Sequence, residues 1–230
     1  LEALQKLKKE GKTRFVGVST HSNEPEVIRA VAESGVYDVV LTGVNFHQDH
    51  YADVKAAIAY AAGKGIGIVG MKTMAGSFID RERKIPVDPK PAIKFVLQDE
   101  NVHTIIPGFT TFDQLEVTLS VLEDLEMHKE DFEKLDFLKS QGSLYCNGCN
   151  QCRMQCIKRL PVPDIMRSYM YAYGYNQTKE AKHLIESLNI NDNPCGSCQD
   201  CRITCPKNFR ICEKISDIIR LKNIPEDFLV

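Results

Sequence analysis

The stretch CNGCNQCRMQC at 146–156 puts four thiols into eleven residues, spaced C-x2-C-x2-C-x3-C. CGSCQDCRITCP at 195–206 repeats the spacing. Thiolate sulfur is a soft ligand, so thiols this dense point to metal binding or to disulfides. All nine cysteines of the 230-residue chain lie beyond residue 145. A disulfide scaffold spreads its bridges through a small fold that cannot build a core. Here the cysteines follow a cysteine-free stretch that reads as an ordinary domain, which makes disulfides the weakest reading and a reducing, cytoplasmic setting the expected one. Structural zinc usually takes two C-x2-C knuckles a dozen or more residues apart. Three thiols at successive two-residue spacings leave no such gap.

A cubane iron–sulfur cluster takes one thiolate at each iron corner, and two-residue spacers let successive thiols point inward from one loop. The bacterial ferredoxin run has this spacing with Pro after the fourth Cys, and there the fourth Cys ligates the other cluster. Cys195, Cys198, Cys201, Cys205 and Pro206 fit it completely. Cys146, Cys149, Cys152 and Cys156 fit except that Ile157 stands in the place of the Pro. The exchange rule assigns Cys146, Cys149, Cys152 and Cys205 to one 4Fe-4S cluster and Cys195, Cys198, Cys201 and Cys156 to the other. Cys212 lies outside both strings and reads as a small core residue of the last helix, with a ligand swap as the alternative. Two such clusters accept and pass single electrons; a purely structural role as metal staples is the second reading.

The elements that must position these groups fall into two regions. In residues 1–128, near-continuous apolar runs RFVGVS (14–19), YDVVLTGV (37–44), GIGIVGM (65–71) and VHTIIPG (102–108) alternate with helical patterns. Strands buried on both faces read this way, and strand–helix order with short turns implies a parallel sheet. The helices are ALQKLKKE before the first run, then one from a capping box at Asn23 and Glu26, then 53–64, 90–100 and 112–125. A closed eight-stranded barrel needs roughly 250 residues, so four units make half of one. The expected fold is α/β: a partial (β/α)8 barrel, a helical linker at 129–145, and a mainly helical dicluster domain at 146–230. Between the strings, the 38 residues from 157 to 194 should form a helical pair, and another helix should follow the second string. Tyr169, Tyr171, Tyr173 and Tyr175 recur at period two and are expected to pack against neighbouring structure. The chain starts at Leu1 without Met, and is expected to begin inside a longer protein, with the upstream half of the barrel in the same or another chain.

In α/β folds the chemistry sits at the carboxyl ends of the strands. Those ends carry Ser19, Thr20 and His21; Asn45, Phe46 and His47; Met71, Lys72 and Thr73; and Pro107, Gly108, Phe109 and Thr110. Ser, Thr and Asn there serve equally well as helix caps. His47 and His50 form an H-x-x-H pair with no third ligand nearby in sequence.

LKKEGKTRFVGVSTH, GIGIVGMKTMAG and VHTIIPGFTTFDQLE resemble the fifth, seventh and eighth strand signatures of the aldo/keto reductases. The strings CNGCNQCRMQCIKRLPVPDIMRSY and CGSCQDCRITCPKNFRI resemble the tail of a subgroup with a C-terminal ferredoxin-like dicluster domain. The resemblance implies an NAD(P)H-binding barrel. Ser19 and Thr20 would contact the nicotinamide carboxamide, with Thr20 where the family usually has Asn. Leu41 falls where the family often has an amide side chain, and Met71 where many members stack an aromatic ring. Pro107, Gly108, Phe109, Thr110 and Gln114 would approach the adenosine phosphate, and Lys72 reads as a solvated or phosphate-facing cation. The family's catalytic Asp, Tyr, Lys and His lie on the first four strands, upstream of where this sequence starts. The resemblance thus implies an iron–sulfur oxidoreductase with a redox partner protein; the alternative is an electron carrier or docking module with a non-catalytic barrel segment. Formal net charge is −2, which argues against a nucleic-acid partner. No apolar run approaches the roughly 20 residues that span a bilayer.

Overall fold

The computed structural model describes residues 1–76, 78, 84–140, 145–146, 148–190, 192–196, 198 and 201–230. The chain divides into two compact units, one of Leu1–Ser77 with Pro86–Gln141 and one of Phe78–Ile85 with Gly142–Val230.

The first unit is built from α1 (Glu2–Lys9), β1 (Gly17–Thr20), α2 (Glu24–Ser34), β2 (Val39–Gly43), α3 (Tyr51–Gly63), β3 (Gly67–Met71), α4 (Pro89–Leu97), β4 (Thr104–Ile105), α5 (Phe112–Ser120) and α6 (Lys129–Ser140). All strand pairs are parallel, and the sheet order β1-β2-β3-β4 is the chain order. A doubly wound sheet reverses its order at a switch point; this one runs in a single direction, as staves of a barrel wall do. Register fixes the two faces. Val18, Val40 and Ile68 pair across the sheet, and the last two are fully buried against Ile28, Val54 and Ile58 of α2 and α3. Ser19, Leu41, Val69 and Thr104 form the next row on the opposite face, where none is fully buried.

Several local expectations change. Asn23 caps α2 in left-handed geometry (φ 53°) without a side-chain hydrogen bond, so no capping box forms. β4 spans two residues, not the seven of VHTIIPG, and Ile106 is 52% exposed. That apolar run has a neighbour on one side only, β3, and a strand lasts only where its amides find partners. α1 and α5 bury no residue, so most of the core lies under β2 and β3. α6 packs on α4 within this unit. Lys94 on α4, with a side chain only 9% exposed, donates to Asp124 Oδ2 (3.0 Å), the Glu126 carbonyl (2.8 Å) and Asp131 Oδ2 (3.4 Å). The remainder of the expected linker, 141–144, lies outside the described residues.

In the second unit every regular element of the described residues is helical: α7 (Val162–Gly174), α8 (Thr178–Ser187) and α9 (Ile211–Ile218), followed by short turns. Ile165, Met166, Ile185, Ile215 and Ile218 interlock as its core. The buried Ser168 hydroxyl on α7 donates to the Ala181 carbonyl of α8 at 2.7 Å. The four tyrosines lie on and just past α7, so period two becomes two pairs four residues apart. Tyr169 and Tyr173 rings stand 4.5 Å apart, and Tyr171 and Tyr175 rings 6.2 Å apart. No helix of the described residues is long and apolar enough to cross a membrane.

Candidate functional site: two groups of thiols and a strand-end rim

The two cysteine strings are tied side by side by contacts that no local pattern announces. Gln155 Oε1 accepts from Thr204 N at 2.6 Å, and Lys158 Nζ donates to the Pro194 carbonyl at 2.6 Å. Gln155 directly precedes Cys156, and Thr204 directly precedes Cys205. The first bond therefore brings together the backbone around the two fourth cysteines. Left-handed Gly148 (φ 77°) and Asn150 (φ 60°) turn the first string, and the Gly148 amide donates to Cys146 Sγ at 3.4 Å. In the second string Cys198 N donates to the Cys195 carbonyl, and Asn193 Oδ1 accepts from Cys195 N.

None of the nine cysteines is in a disulfide. Their electrostatics sort them into two sets. Burial pushes the Cys152 thiol up to about 11, and Cys146, Cys149 and Cys205 add to the shift. Burial likewise raises Cys146, with Cys149 and Cys205 raising it further and Arg167 opposing. Burial raises Cys195 to about 11, joined by Cys198, Cys212, Cys201 and Cys156. Cys205 of the second string thus acts on the thiols of the first, and Cys156 of the first lies with Cys195, Cys198, Cys201 and Cys212. Cys156, Cys195, Cys198, Cys201 and Cys212 line one small pocket whose walls are otherwise largely apolar, including Leu160, Ile211 and Ile215. Cys152 is buried, Cys201 is exposed, and the other seven are half-buried. Among the described residues no three His, Cys, Asp or Glu side chains converge closely enough to hold a single metal ion.

The rim is built at the carboxyl ends of β1–β3. Ser19 and Met71 lie on the face away from the helices, and Leu41 is the register partner of Ser19. Thr20 points to the helix side, where its hydroxyl donates to the Ser22 carbonyl (2.7 Å) and accepts from Ser22 N (3.3 Å). After Met71 the chain enters left-handed geometry at Lys72 (φ 56°) and again at Ala75 (φ 55°). Strain of this kind persists only where surrounding structure enforces it. Asn45 Nδ2 donates to the Lys72 carbonyl at 3.2 Å. Thr73 is 1% exposed, and its Oγ1 has no hydrogen-bond partner among the described residues. A buried hydroxyl left unpaired costs roughly 1–3 kcal/mol, so this orphan marks a place where a polar partner belongs. Nothing in the sequence distinguished Thr73 from its neighbours.

His50 Nε2 sits 3.0 Å from Glu24 Oε2, and that carboxylate, in the first turn of α2, also accepts from Gln48 Nε2 at 3.4 Å. His47 donates its amide to Asn45 Oδ1 and stacks near Phe46, so the H-x-x-H pair does not form a shared site. Along the last loop, Gly108 has open space at its Cβ position and Phe109 is 46% exposed. Thr110 N and Oγ1 both donate to Gln114 Oε1 (2.7 and 3.3 Å), while Thr111 caps α5 through Gln114 N.

Residues 1–92 match the model of the aldo/keto reductase family, which covers the span from α1 to the start of α4. Among solved structures the chain is similar to the holo form of aldo-keto reductase AKR11C1 from Bacillus halodurans, at 17% identity and a TM-score of 0.45, covering 62% of this chain and 56% of that one. The apo form of the same protein gives a TM-score of 0.44 at the same identity and coverage. The chain therefore spans little more than half the length of that reductase. No curated protein matches the sequence.

Proposed function

We propose that this chain is the electron-transferring part of an aldo/keto reductase-like oxidoreductase, in which a nicotinamide-binding barrel works with two 4Fe-4S clusters and a redox partner protein. One observation supports the reading: Cys156, the fourth cysteine of the first string, lines a pocket together with Cys195, Cys198 and Cys201 of the second. The donor set fits such clusters. One thiolate per iron spreads four sulfurs around a polynuclear core, whereas a mononuclear zinc site needs its donors drawn onto one ion. Four of the donors, Cys156, Cys195, Cys198 and Cys201, share one pocket. Cys146, Cys149, Cys152 and Cys205 would hold one cluster, and Cys195, Cys198, Cys201 and Cys156 the other. When bound, the clusters supply one-electron transfer.

The protein's own residues then have definable roles. The Gln155–Thr204 hydrogen bond keeps the exchanged cysteines in place before metal arrives. Apolar walls at Leu160, Ile211 and Ile215 flank the second set while Cys201 stays exposed, and that balance of burial is a lever on reduction potential. In the barrel unit, Ser19 and Met71 share the face on which a nicotinamide would lie. The unpaired Thr73 hydroxyl would find its partner in that nucleotide. No residue of this chain is assigned as the catalytic acid.

A second reading, an electron carrier whose barrel segment binds no nucleotide, is favoured by two observations. Thr20 and Gln114, both expected to face the nucleotide, spend their polar groups on local turns. Anaerobic loading with iron and sulfide tests the main proposal: about eight irons per chain are expected. Cys205→Ser and Cys156→Ser should each halve the iron. In Cys205→Ser the remaining cluster must belong to the second string, although the mutation lies in that string; loss of the second-string cluster instead would overturn the exchange. Added NADPH or NADH at about 100 times its dissociation constant should stabilise the barrel unit by about 2.7 kcal/mol, and no shift favours the carrier.

A further inference from the structure

Cys212 shares a pocket with the second thiol set. It is the second residue of α9, whose buried side chains are Ile211, Ile215 and Ile218, while Cys212 itself is half-buried and faces the pocket lined by the second thiol set. The second set also contains the one exposed cysteine of the chain, Cys201, beside the exposed Arg202. One site thus combines its most accessible thiol with a spare thiol held on a rigid helix, anchored by Ile211 at 3% and Ile215 at 1% exposure.

We propose that Cys212 is an alternative thiolate ligand of the second iron–sulfur site, able to replace Cys201. The proposal rests on the cluster reading above. The exchange involves no electron transfer. The Cys212 thiol gives its proton to solvent and its sulfur binds the iron, while the Cys201 sulfur leaves the iron and takes up a proton. The site keeps four thiolates throughout, and the displaced Cys201 becomes a free thiol at the surface.

The test uses the full chain, loaded anaerobically with iron and sulfide, in five forms: wild type, Cys201→Ser, Cys212→Ser, Cys201→Ser/Cys212→Ser and Cys198→Ser. Wild type should hold about eight irons, and each of the single variants at positions 201 and 212 should also hold about eight. The double variant and Cys198→Ser should fall to about four. Iodoacetamide footprinting by mass spectrometry gives a second readout: Cys212 should be alkylated in loaded wild type and protected in loaded Cys201→Ser. A Cys201→Ser variant that drops to about four irons, with Cys212 still alkylated, would overturn the proposal while leaving the cluster reading intact. Wild type that takes up no iron would overturn both.

Discussion

His103 offers the sharpest test of how the sheet is held. β3 and β4 are in register over only two pairs, Val69 with Thr104 and Gly70 with Ile105. Just before them the Ile68 amide donates not to a backbone carbonyl but to His103 Nδ1, at 2.9 Å, while His103 N donates back to the Ile68 carbonyl at 3.0 Å. The imidazole thus stands in for a missing residue of strand, and its proton must sit on Nε2. His103→Leu removes the acceptor and leaves the Ile68 N–H unpaired beside a fully buried side chain. An orphaned amide costs roughly 1–3 kcal/mol. The exposure of His103 lets water recover part of that, so a loss of about 1–2 kcal/mol is expected, or roughly 5- to 30-fold in the opening equilibrium. His103→Asn, which can place an oxygen near the Nδ1 position, should lose less than about 0.5 kcal/mol. Native-state hydrogen exchange at the Ile68 amide reads this directly, with urea denaturation alongside. Because β4 leads into 107–110, the Leu variant should also weaken any nucleotide binding. Equal losses for Leu and Asn, or unchanged exchange in the Leu variant, would refute the reasoning.

Three further outcomes follow from the same geometry. Lys94, then His128 and the Glu126 amide, hold the Asp124 carboxyl down from 3.8 to about 2; its folded pKa is depressed, so its stabilisation is full above pH 4 and is lost as pH falls toward 2. Urea midpoints should therefore drop between pH 5 and pH 2.5 in wild type, and less steeply in Asp124→Asn. Gly17→Ala would set a Cβ 2.7 Å from the Val39 carbonyl oxygen, a backbone clash at the β1–β2 contact that should cost roughly 1–3 kcal/mol in chemical denaturation. Ile185→Ala, emptying a fully buried site between α7 and α8, should cost roughly 2–5 kcal/mol, seen as a lower midpoint for the helical circular-dichroism signal.

What the sequence revealed and what it hid divide along physical lines. Buried strands announce themselves by apolar runs, so β3 takes five of the seven residues of GIGIVGM and β2 five of the eight of YDVVLTGV. VHTIIPG carries the same signal, but strand length depends on a neighbour, and a run cannot report whether its partner extends beside it. The Asn23 capping box failed because residue type sets what a cap can do, while φ sets what it does. The tyrosines recur at period two, yet α7 runs through them as the helical pair expected between the strings requires, because Val162, Ile165, Met166 and Tyr169 supply a helical stripe. The thiols were legible because C-x2-C spacing is a property of the chain itself. The Gln155–Thr204 bond spans 49 residues and the unpaired Thr73 hydroxyl depends on what surrounds it, so neither leaves a local mark.

The same distinction explains why the two halves of the functional reading stand on different ground. In the helical unit the loops that carry the cysteines are held by hydrogen bonds within and between the two strings. In the α/β unit the reverse holds for part of the site: Thr20 and Gln114 satisfy themselves locally, while Thr73 finds no partner among the described residues. A nucleotide would have to compete with the Ser22 and Thr110 contacts for the first two residues. At Thr73 it would gain a hydrogen bond that no described residue supplies. Nucleotide affinity should therefore respond more strongly to Thr73→Val, which deletes the unpaired hydroxyl at nearly constant volume, than to Thr20→Val. That order would reverse if the strand-end turn of β1 opened to meet the ligand.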